Sequence, residues 1–346
     1  MQTTKPWPSD GLEAVPNCPV CGNTQRELLY NDLTDRVFGV APGIWTLYRC
    51  KQCESAYLDP RPNRTTIGLA YKDYYTHTAE DAPEAQPKSP LVRQLHAWLN
   101  DYINARYGLN RKPAGLGGRW LVSLVPSFKA KADAKLRHLS RPPTNGGRLL
   151  DVGFGNGGFL KLATEMGWNA EGIDFDPKAV EVARARGLKV RCASVLDLTE
   201  RNEQFDVITL SHVIEHVQDP IALLNVLYRL LKPGGLLWLE TPNIDSLGAK
   251  NFGRNWRGLE TPRHLVLFNT ESLKSSLTRV GFNQIRQEWN GMVLFSIFAQ
   301  STAISRGQCG QDALHQVSPS LTAIWAELRG IVQPELREYT TFIAKK

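Results

Sequence analysis

Three groups of residues in this chain have the types and spacing to do chemistry. Cys18 and Cys21 form one CxxC knuckle, and Cys50 and Cys53 form a second. In each knuckle two thiolates face one ion across a tight turn, and four together suit tetrahedral zinc. Four thiolates leave no open position for substrate, so the expected ion is structural. The second group is the run Leu149-Leu150-Asp151-Val152-Gly153-Phe154-Gly155-Asn156-Gly157, followed by Gly172-Ile173-Asp174. It reads as a buried strand, a glycine turn that opens a helix, and a second strand ending in an acid. The glycines permit a bend and bring the backbone close to a ligand. The terminal acid can accept hydrogen bonds from both hydroxyls of a ribose. Nicotinamide dinucleotide sites share these parts, so the run alone indicates an adenosine-type cofactor and no more. The third group is His212, Glu215 and His216. On one helical turn all three share a face, giving a candidate base and a carboxylate to orient it.

These groups need elements to hold them. From Arg148 onward, strands expected at 148–152, 169–174, 189–192, 206–210 and 236–240 alternate with helices near 157–166, 177–186 and 219–231. That alternation is an α/β fold, a parallel Rossmann-like sheet with helices on both faces. Another helix is expected at 271–280, capped by Gly281, with strands at 283–288 and 290–298. Ahead of this domain, Leu91, Leu95, Trp98, Leu99, Tyr102 and Ile103 carry a helical period, and a second apolar-basic piece runs from Trp120 to Leu139. The expected organisation is a loose leader at 1–16, a zinc-ribbon module at 17–60 and a linker with a helical lid at 61–145. The main domain then spans 146–300 with an insertion at 241–269, and a helical extension fills 301–346.

Bulk properties narrow the classes. With 346 residues, 42% hydrophobic and 22% charged, the composition is that of an ordinary soluble protein. No apolar run is long enough to span a membrane, and the first residues lack the apolar core of a signal peptide. A reducing, cytoplasmic setting is the default expectation, and metal is a better reading of the paired cysteines than disulfides. The net charge of +7 is spread out. The densest basic group, Lys129, Lys131, Lys135, Arg137, His138 and Arg141, reads as the wet face of a helix. Basic and acidic residues also balance within the cysteine module, which argues against nucleic acid as a partner.

Asp151 stands two residues before the first glycine, where it can orient the turn and meet a cationic amino-acid tail. A dinucleotide site would want bare amides and a helix dipole for pyrophosphate instead. Further motifs are Gly172-Ile-Asp174-Phe-Asp-Pro, Gln204-Phe-Asp206-Val-Ile, Ser211-His212-Val-Ile-Glu215-His216-Val-Gln-Asp219-Pro220 and Leu231-Lys-Pro-Gly-Gly235. Over about residues 146–298 the chain resembles the class I S-adenosylmethionine-dependent methyltransferases, most of all the branch of ubiquinone-pathway O-methyltransferases and of sugar and natural-product enzymes. The resemblance implies S-adenosylmethionine as cofactor. Asp151, Gly153 and Gly155 would frame its methionine moiety, Asp174 would hold the ribose, and Phe175 would pack near the adenine. Ser194 and Val195 fall at the adenine edge, where Ser194 replaces the usual acid, and Ser211 begins the loop facing the methionine end.

Methyl transfer to a hydroxyl needs an aimed nucleophile and a group to take its proton. His212 or His216 could be that base, oriented by Glu215, and His212 is the first choice. Alternatively Glu215 and His216 contribute to a divalent metal site, or they only brace the loop. The insertion holds Trp256, Arg257, Glu260, Arg263 and His264 after a strand's carboxyl end, where this fold places its pocket. It reads as the acceptor-side wall, with His264 a rival base and both arginines able to hold a carboxylate, phosphate or sugar hydroxyls; a salt-bridged clamp is the alternative. Tyr74, Tyr75 and His77 could close over the ligand. The function expected is transfer of a methyl group to a small-molecule acceptor, foremost a hydroxyl of a sugar or specialised metabolite, as in natural-product or polysaccharide pathways. Nitrogen or carbon acceptors, an RNA or protein substrate bound through the ribbon, and a non-catalytic scaffold are the alternatives. A homodimer through the added helices is a further expectation.

Overall fold

The computed structural model describes residues 5–71, 89–144, 146–198, 202–310 and 320–346. Tyr74, Tyr75 and His77 lie outside the described residues. The N-terminal part holds five strands, β1 (Leu12–Glu13), β2 (Arg26–Leu33), β3 (Trp45–Cys50), β4 (Ala56–Leu58) and β5 (Arg61–Pro62). The main domain adds β6 (Arg148–Val152), β7 (Asn169–Asp174), β8 (Val190–Cys192), β9 (Phe205–Ser211), β10 (Leu231–Pro242), β11 (Val266–Leu267), β12 (Asn283–Glu288) and β13 (Tyr339–Lys345).

Seven of these strands form one sheet in the order β12-β13-β10-β9-β6-β7-β8. The run from β10 to β8 is parallel, while β13 is antiparallel to both of its neighbours. Side chains on β6 alternate between the two faces, as a pleated strand requires. Leu149 joins Leu160, Ala163 and Val180 on one face, and Leu150 joins Leu223, Leu224 and Leu227 on the other. The helices start where local chemistry says they should. Asp176 and Asp219 accept from the backbone of helices Pro177–Ala185 and Pro220–Leu230, each with proline in its first turn. Asn269 and Ser272 make a capping box for Thr270–Val280, which ends on Gly281 at φ 115°.

Several expectations are corrected. The leader is not loose from Trp7 onward. Trp7 packs edge-on against Trp45 at 5.2 Å, and β1 pairs with β5. The run 290–298 is not a strand but leads into the helix Leu294–Ser305, because Gly291 and Met292 at positive φ break the extended chain first. A short apolar run has no period that separates the two outcomes. The C-terminal segment is not all helix. After the helix Leu321–Val332, β13 wedges between β10 and β12, burying Thr340 to Ala344. In the basic group, Arg137 is buried and His138 half-buried, at φ 51° and 53°, so they are not a wet face.

The cysteine module is not a separate bead. β2, β3 and β4 form a sheet whose outer strand is β11, from the insertion. Trp45, Leu47, Tyr57 and Leu58 share one apolar cluster with Leu223, Leu265 and Phe268 of the main domain.

Candidate functional site

Gly153 ends β6 at φ 66°, and its N–H donates to the Ile173 carbonyl of the neighbouring strand at 2.8 Å. A Cβ there would stand 2.4 Å from Val213, so only glycine fits. Gly155, at φ 56°, has open space where its Cβ would be. Asp174 sits at the end of β7 and accepts from the N–H of Gly155 at 3.1 Å and of Asp176 at 3.0 Å. A carboxylate offers about four lone-pair positions, so acceptor capacity remains for ribose hydroxyls. Burial raises the Asp174 pKa against those two bonds. Phe175 is exposed at the rim, 5.9 Å from the ring of Tyr71. Ser194 caps the short turn Val195–Asp197, and Val195 is buried behind it. This donor rim fits an adenosine-bearing sulfonium.

Asp151 is placed differently from the expectation. It is fully buried and pairs with Arg137 and with the Thr209 hydroxyl at 2.9 Å, rather than facing an open cleft. Its second oxygen, Oδ2, is buried without a hydrogen-bond partner among the described residues. The Arg137 guanidinium also lies 3.8 Å over the Phe159 ring. The two successive left-handed residues at 137 and 138 turn this side chain inward, a conformation that costs about 1 kcal/mol or more per residue outside glycine.

Across the rim stands the turn that follows β9. Ile214–His216 is a single 3-10 turn, with His212 before it at φ 55°. The three residues therefore do not share a helical face; they converge around the buried Glu215 carboxylate. His212 Nδ1 is 3.2 Å from Glu215 and Nε2 is 3.4 Å from Glu240, while its ring abuts Tyr339 at 4.6 Å. Burial disfavours its charge, but the two carboxylates outweigh that and push His212 up to about 10. His212 is thus an imidazolium at neutral pH, which argues against its choice as base.

His264, wholly buried, has its Nδ1 2.8 Å from the Gly258 carbonyl. A carbonyl can only accept, so Nδ1 carries the proton and Nε2 keeps its lone pair. Burial lowers this histidine to about 4, so it is neutral. His216 is half-buried, with its Nδ1 3.0 Å from the Arg263 carbonyl, which can only accept, and 3.0 Å from the Tyr71 hydroxyl, which can accept or donate. Its ring lies 4.8 Å from that of His264. Ligand atoms of Glu215, His216 and His264 all fall within 4.8 Å of one another.

In the insertion, expected to form the acceptor-side wall, Arg257 and Arg263 are clamps. Arg263 is wholly buried, bonded to Asp35 at 2.5 and 3.1 Å, to Glu260 at 3.3 Å and to the Ala70 carbonyl at 2.8 Å. Its expected role in holding substrate is corrected: the ion pairs with Asp35 and Glu260 saturate it. Arg257 pairs with Glu260, whose carboxyl is held well below its usual range by Arg257, His264 and Arg263 in spite of burial. Trp256 is buried and donates its indole N–H to Glu338, so it braces the wall rather than lining it.

Burial pushes Glu338 up to about 7. A carboxyl whose folded pKa is raised contributes stability below its unfolded value, near 4.5, and loses it as pH rises through about 7. Glu338→Gln keeps an acceptor for Trp256 and cannot ionise. Its unfolding free energy is expected to lie close to the parent's at pH 5 and to gain on it by on the order of 2 kcal/mol between pH 5 and pH 8. Equal pH dependence of the two proteins in urea titrations would refute the assignment.

The four cysteines converge. Cys18 and Cys53 sulfurs are 3.6 Å apart, Cys21 and Cys50 3.5 Å, and all four lie within 4.8 Å. A tetrahedral ion with bonds of about 2.3 Å sets its sulfurs roughly 3.8 Å apart, whereas a disulfide would bring two to about 2.0 Å. The set fits structural zinc.

The sequence reading missed Glu240, Tyr339, Asp35 and Arg137 as site residues. Only Glu240 carried a signal, an acid at a strand's carboxyl end. Asp35 reaches Arg263 across 228 residues, and no local pattern marks that.

Residues 127–287 match the family model described as a methyltransferase domain. That match, with the glycine rim and Asp174, supports a class I S-adenosylmethionine-dependent methyltransferase domain in this part of the chain. Among curated proteins, the ubiquinone biosynthesis O-methyltransferase of Xanthomonas oryzae pv. oryzae is 38% identical over 142 residues, 38% of this chain and 59% of the relative. That of Xanthomonas campestris pv. campestris is 36% identical over the same shares. The chain therefore spans about three fifths of the length of these relatives (59%). Solved structures with a similar fold include a SAM-dependent methyltransferase from Archaeoglobus fulgidus, at 20% identity and TM-score 0.43, covering 65% of this chain and 94% of that one. Another is a phosphoethanolamine N-methyltransferase of Haemonchus contortus with S-adenosyl-L-methionine bound, at 18% and 0.46, covering 88% and 63%. The methyltransferase domain carries the glycine rim, Asp174 and the 212–216 turn, and its sheet takes in β13 from beyond the matched residues. No described helix is long and apolar enough to cross a membrane.

Proposed function

We propose that the chain moves a methyl group from S-adenosylmethionine to a hydroxyl of a small acceptor, such as a sugar or specialised metabolite, with His216 taking the proton. The observation that carries this reading is the placing of His216 Nδ1 against the Arg263 carbonyl at 3.0 Å. An Nδ1 proton given to that carbonyl would leave Nε2 to act as the base. Tyr71 touches both His216 and Phe175, so this histidine stands next to the donor rim. The O-methyltransferase names of the relatives agree with an oxygen acceptor. S-adenosylmethionine supplies the electrophilic methyl when bound. Asp174 would hold its ribose, and the imidazolium of His212, between Glu215 and Glu240, would keep this side of the cleft polar and ordered.

Replacing His216 by Asn is expected to lower turnover by about 10²–10⁴-fold, the usual worth of a positioned base. S-adenosylmethionine affinity by calorimetry should stay within about twofold, since His216 is not on the donor strands. Unchanged turnover in His216→Asn on the acceptor that the parent methylates would remove His216 from this role. A second reading is favoured by the convergence of Glu215, His216 and His264. Those three could hold a divalent cation that acidifies the acceptor hydroxyl. Turnover that survives removal of divalent cations from this cluster, with the metal of the four cysteines shown to be retained, would favour the base over the metal.

A further inference from the structure

We propose that the ion held by Cys18, Cys21, Cys50 and Cys53 positions the acceptor-side histidines, and does so without governing the donor rim. The proposal rests on the reading of the four thiolates as a metal site. A continuous path of main-chain bonds joins the second knuckle to the catalytic turn. Cys50 N–H donates to the Ser55 carbonyl, and β4 begins one residue later. Tyr57 and Ala56 of β4 pair with Val266 and Leu267 of β11. Leu58 N–H donates to the Leu265 carbonyl at 3.1 Å, and Leu265 N–H donates to the Glu215 carbonyl at 2.8 Å. The Asn269 side chain closes the loop by donating to the Cys53 carbonyl at 3.4 Å. His264 directly precedes Leu265, and the Arg263 carbonyl is the group that fixes His216.

The strand β11 has only two residues. Such a short strand is not stable alone and takes its order from the neighbour it pairs with. That neighbour, β4, is three residues long and starts three residues after Cys53. Its other neighbour, β3, ends at Cys50 itself. An ion joining both knuckles therefore pins the two strands at their shared end. Without it, four buried or half-buried thiols would have to share this space unbonded, and the turn from Cys50 to Cys53 would lose its anchor. Other links cross the same seam. The Arg263–Asp35 pair and the Arg254 bond to the Asn31 carbonyl at 2.8 Å tie the insertion to β2 and the loop after it. The donor rim on β6 and β7 draws its order from parallel strands on both sides, none of which is paired with a strand of the cysteine module's sheet; the link between them is side-chain packing in the shared apolar cluster.

The test is hydrogen–deuterium exchange on the full chain, with the metal bound and after its removal by a thiol-competing chelator, with metal content measured in both. Amides of residues 264–267 are expected to exchange at least about 100-fold faster without the ion, and those of 149–152 within about threefold of the parent rate. S-adenosylmethionine affinity should stay within about threefold, turnover should fall at least about tenfold, and zinc alone should restore all of these. Unchanged exchange at 264–267, or equal acceleration in both segments, would overturn the proposal. Absence of bound metal in the purified chain would overturn it too, by removing the metal site, and is told apart because no chelator effect would then be seen at all.

Discussion

Arg137→Ala is expected to destabilise the fold by about 3–5 kcal/mol, because it strands the Asp151 carboxylate in a site with no exposure. The cost is that of an uncompensated buried charge, not the worth of the pair. Burial already raises the Asp151 pKa against the pull of Arg137 and Thr209. Without Arg137 it would rise further, so the acid would be neutral in the folded state over a wider range. A raised folded pKa gives stability that is present below the unfolded value and lost as pH rises through the folded one. The deficit of the variant in urea denaturation should therefore be smaller at pH 5 than at pH 8. The double variant Arg137→Ala with Asp151→Asn should recover more than half of the loss, since no charge is left to bury. A deficit under about 1 kcal/mol in the single variant would mean that Asp151 finds another partner.

The second large effect belongs to Asp174. Asp174→Ala should weaken S-adenosylmethionine binding by about 100-fold or more. Two hydrogen bonds from ribose hydroxyls to a carboxylate are worth roughly 1.5–3 kcal/mol each, and about 1.4 kcal/mol is a factor of ten. The same substitution frees the Gly155 N–H from its present acceptor, which loosens the glycine turn. Asp174→Asn keeps one acceptor oxygen and should lose about tenfold. Calorimetric titration of the three proteins checks this order. An affinity for the cofactor that is the same in all three would place the adenosine somewhere other than this rim.

These two residues illustrate what was legible before the structure. Asp174, Gly153 and Gly155 belong to a strand–turn–strand grammar that works within a few dozen residues. The same is true of the helix starts at Asp176 and Asp219, where an acid and a proline act on their own turn. Arg137 was visible only as one cation in a basic stretch. Its inward turn depends on two left-handed residues and on rings from Phe159 and Trp238, which no spacing rule marks. The run at 290–298 went wrong for a related reason. Its apolar residues suit either a strand or a buried helix, and the break at Gly291 and Met292 decided between them. The C-terminal strand was missed because its place in the sheet is set by β10 and β12, its neighbours in space.

The acceptor side divides in the same way. Polar and aromatic residues packed into an insertion after a sheet strand mark an expected wall, and the structure buries most of them in contacts of their own. What each residue does within it followed from partners that arrive from far along the chain. Asp35 saturates Arg263, Glu240 helps to keep His212 charged, and the Arg263 carbonyl stands against Nδ1 of His216.

By itself, the sequence determined the methyltransferase rim and the thiolate tetrad, because a turn flanked by regular structure or a CxxC loop sets its own geometry within a few residues. Tertiary structure alone decided that two carboxylates flank His212, which arginines are already spent, and that the cysteine module shares a sheet with a strand of the insertion. Protonation and hydrogen-bond saturation are sums over every neighbour in space, and those neighbours are scattered along the chain.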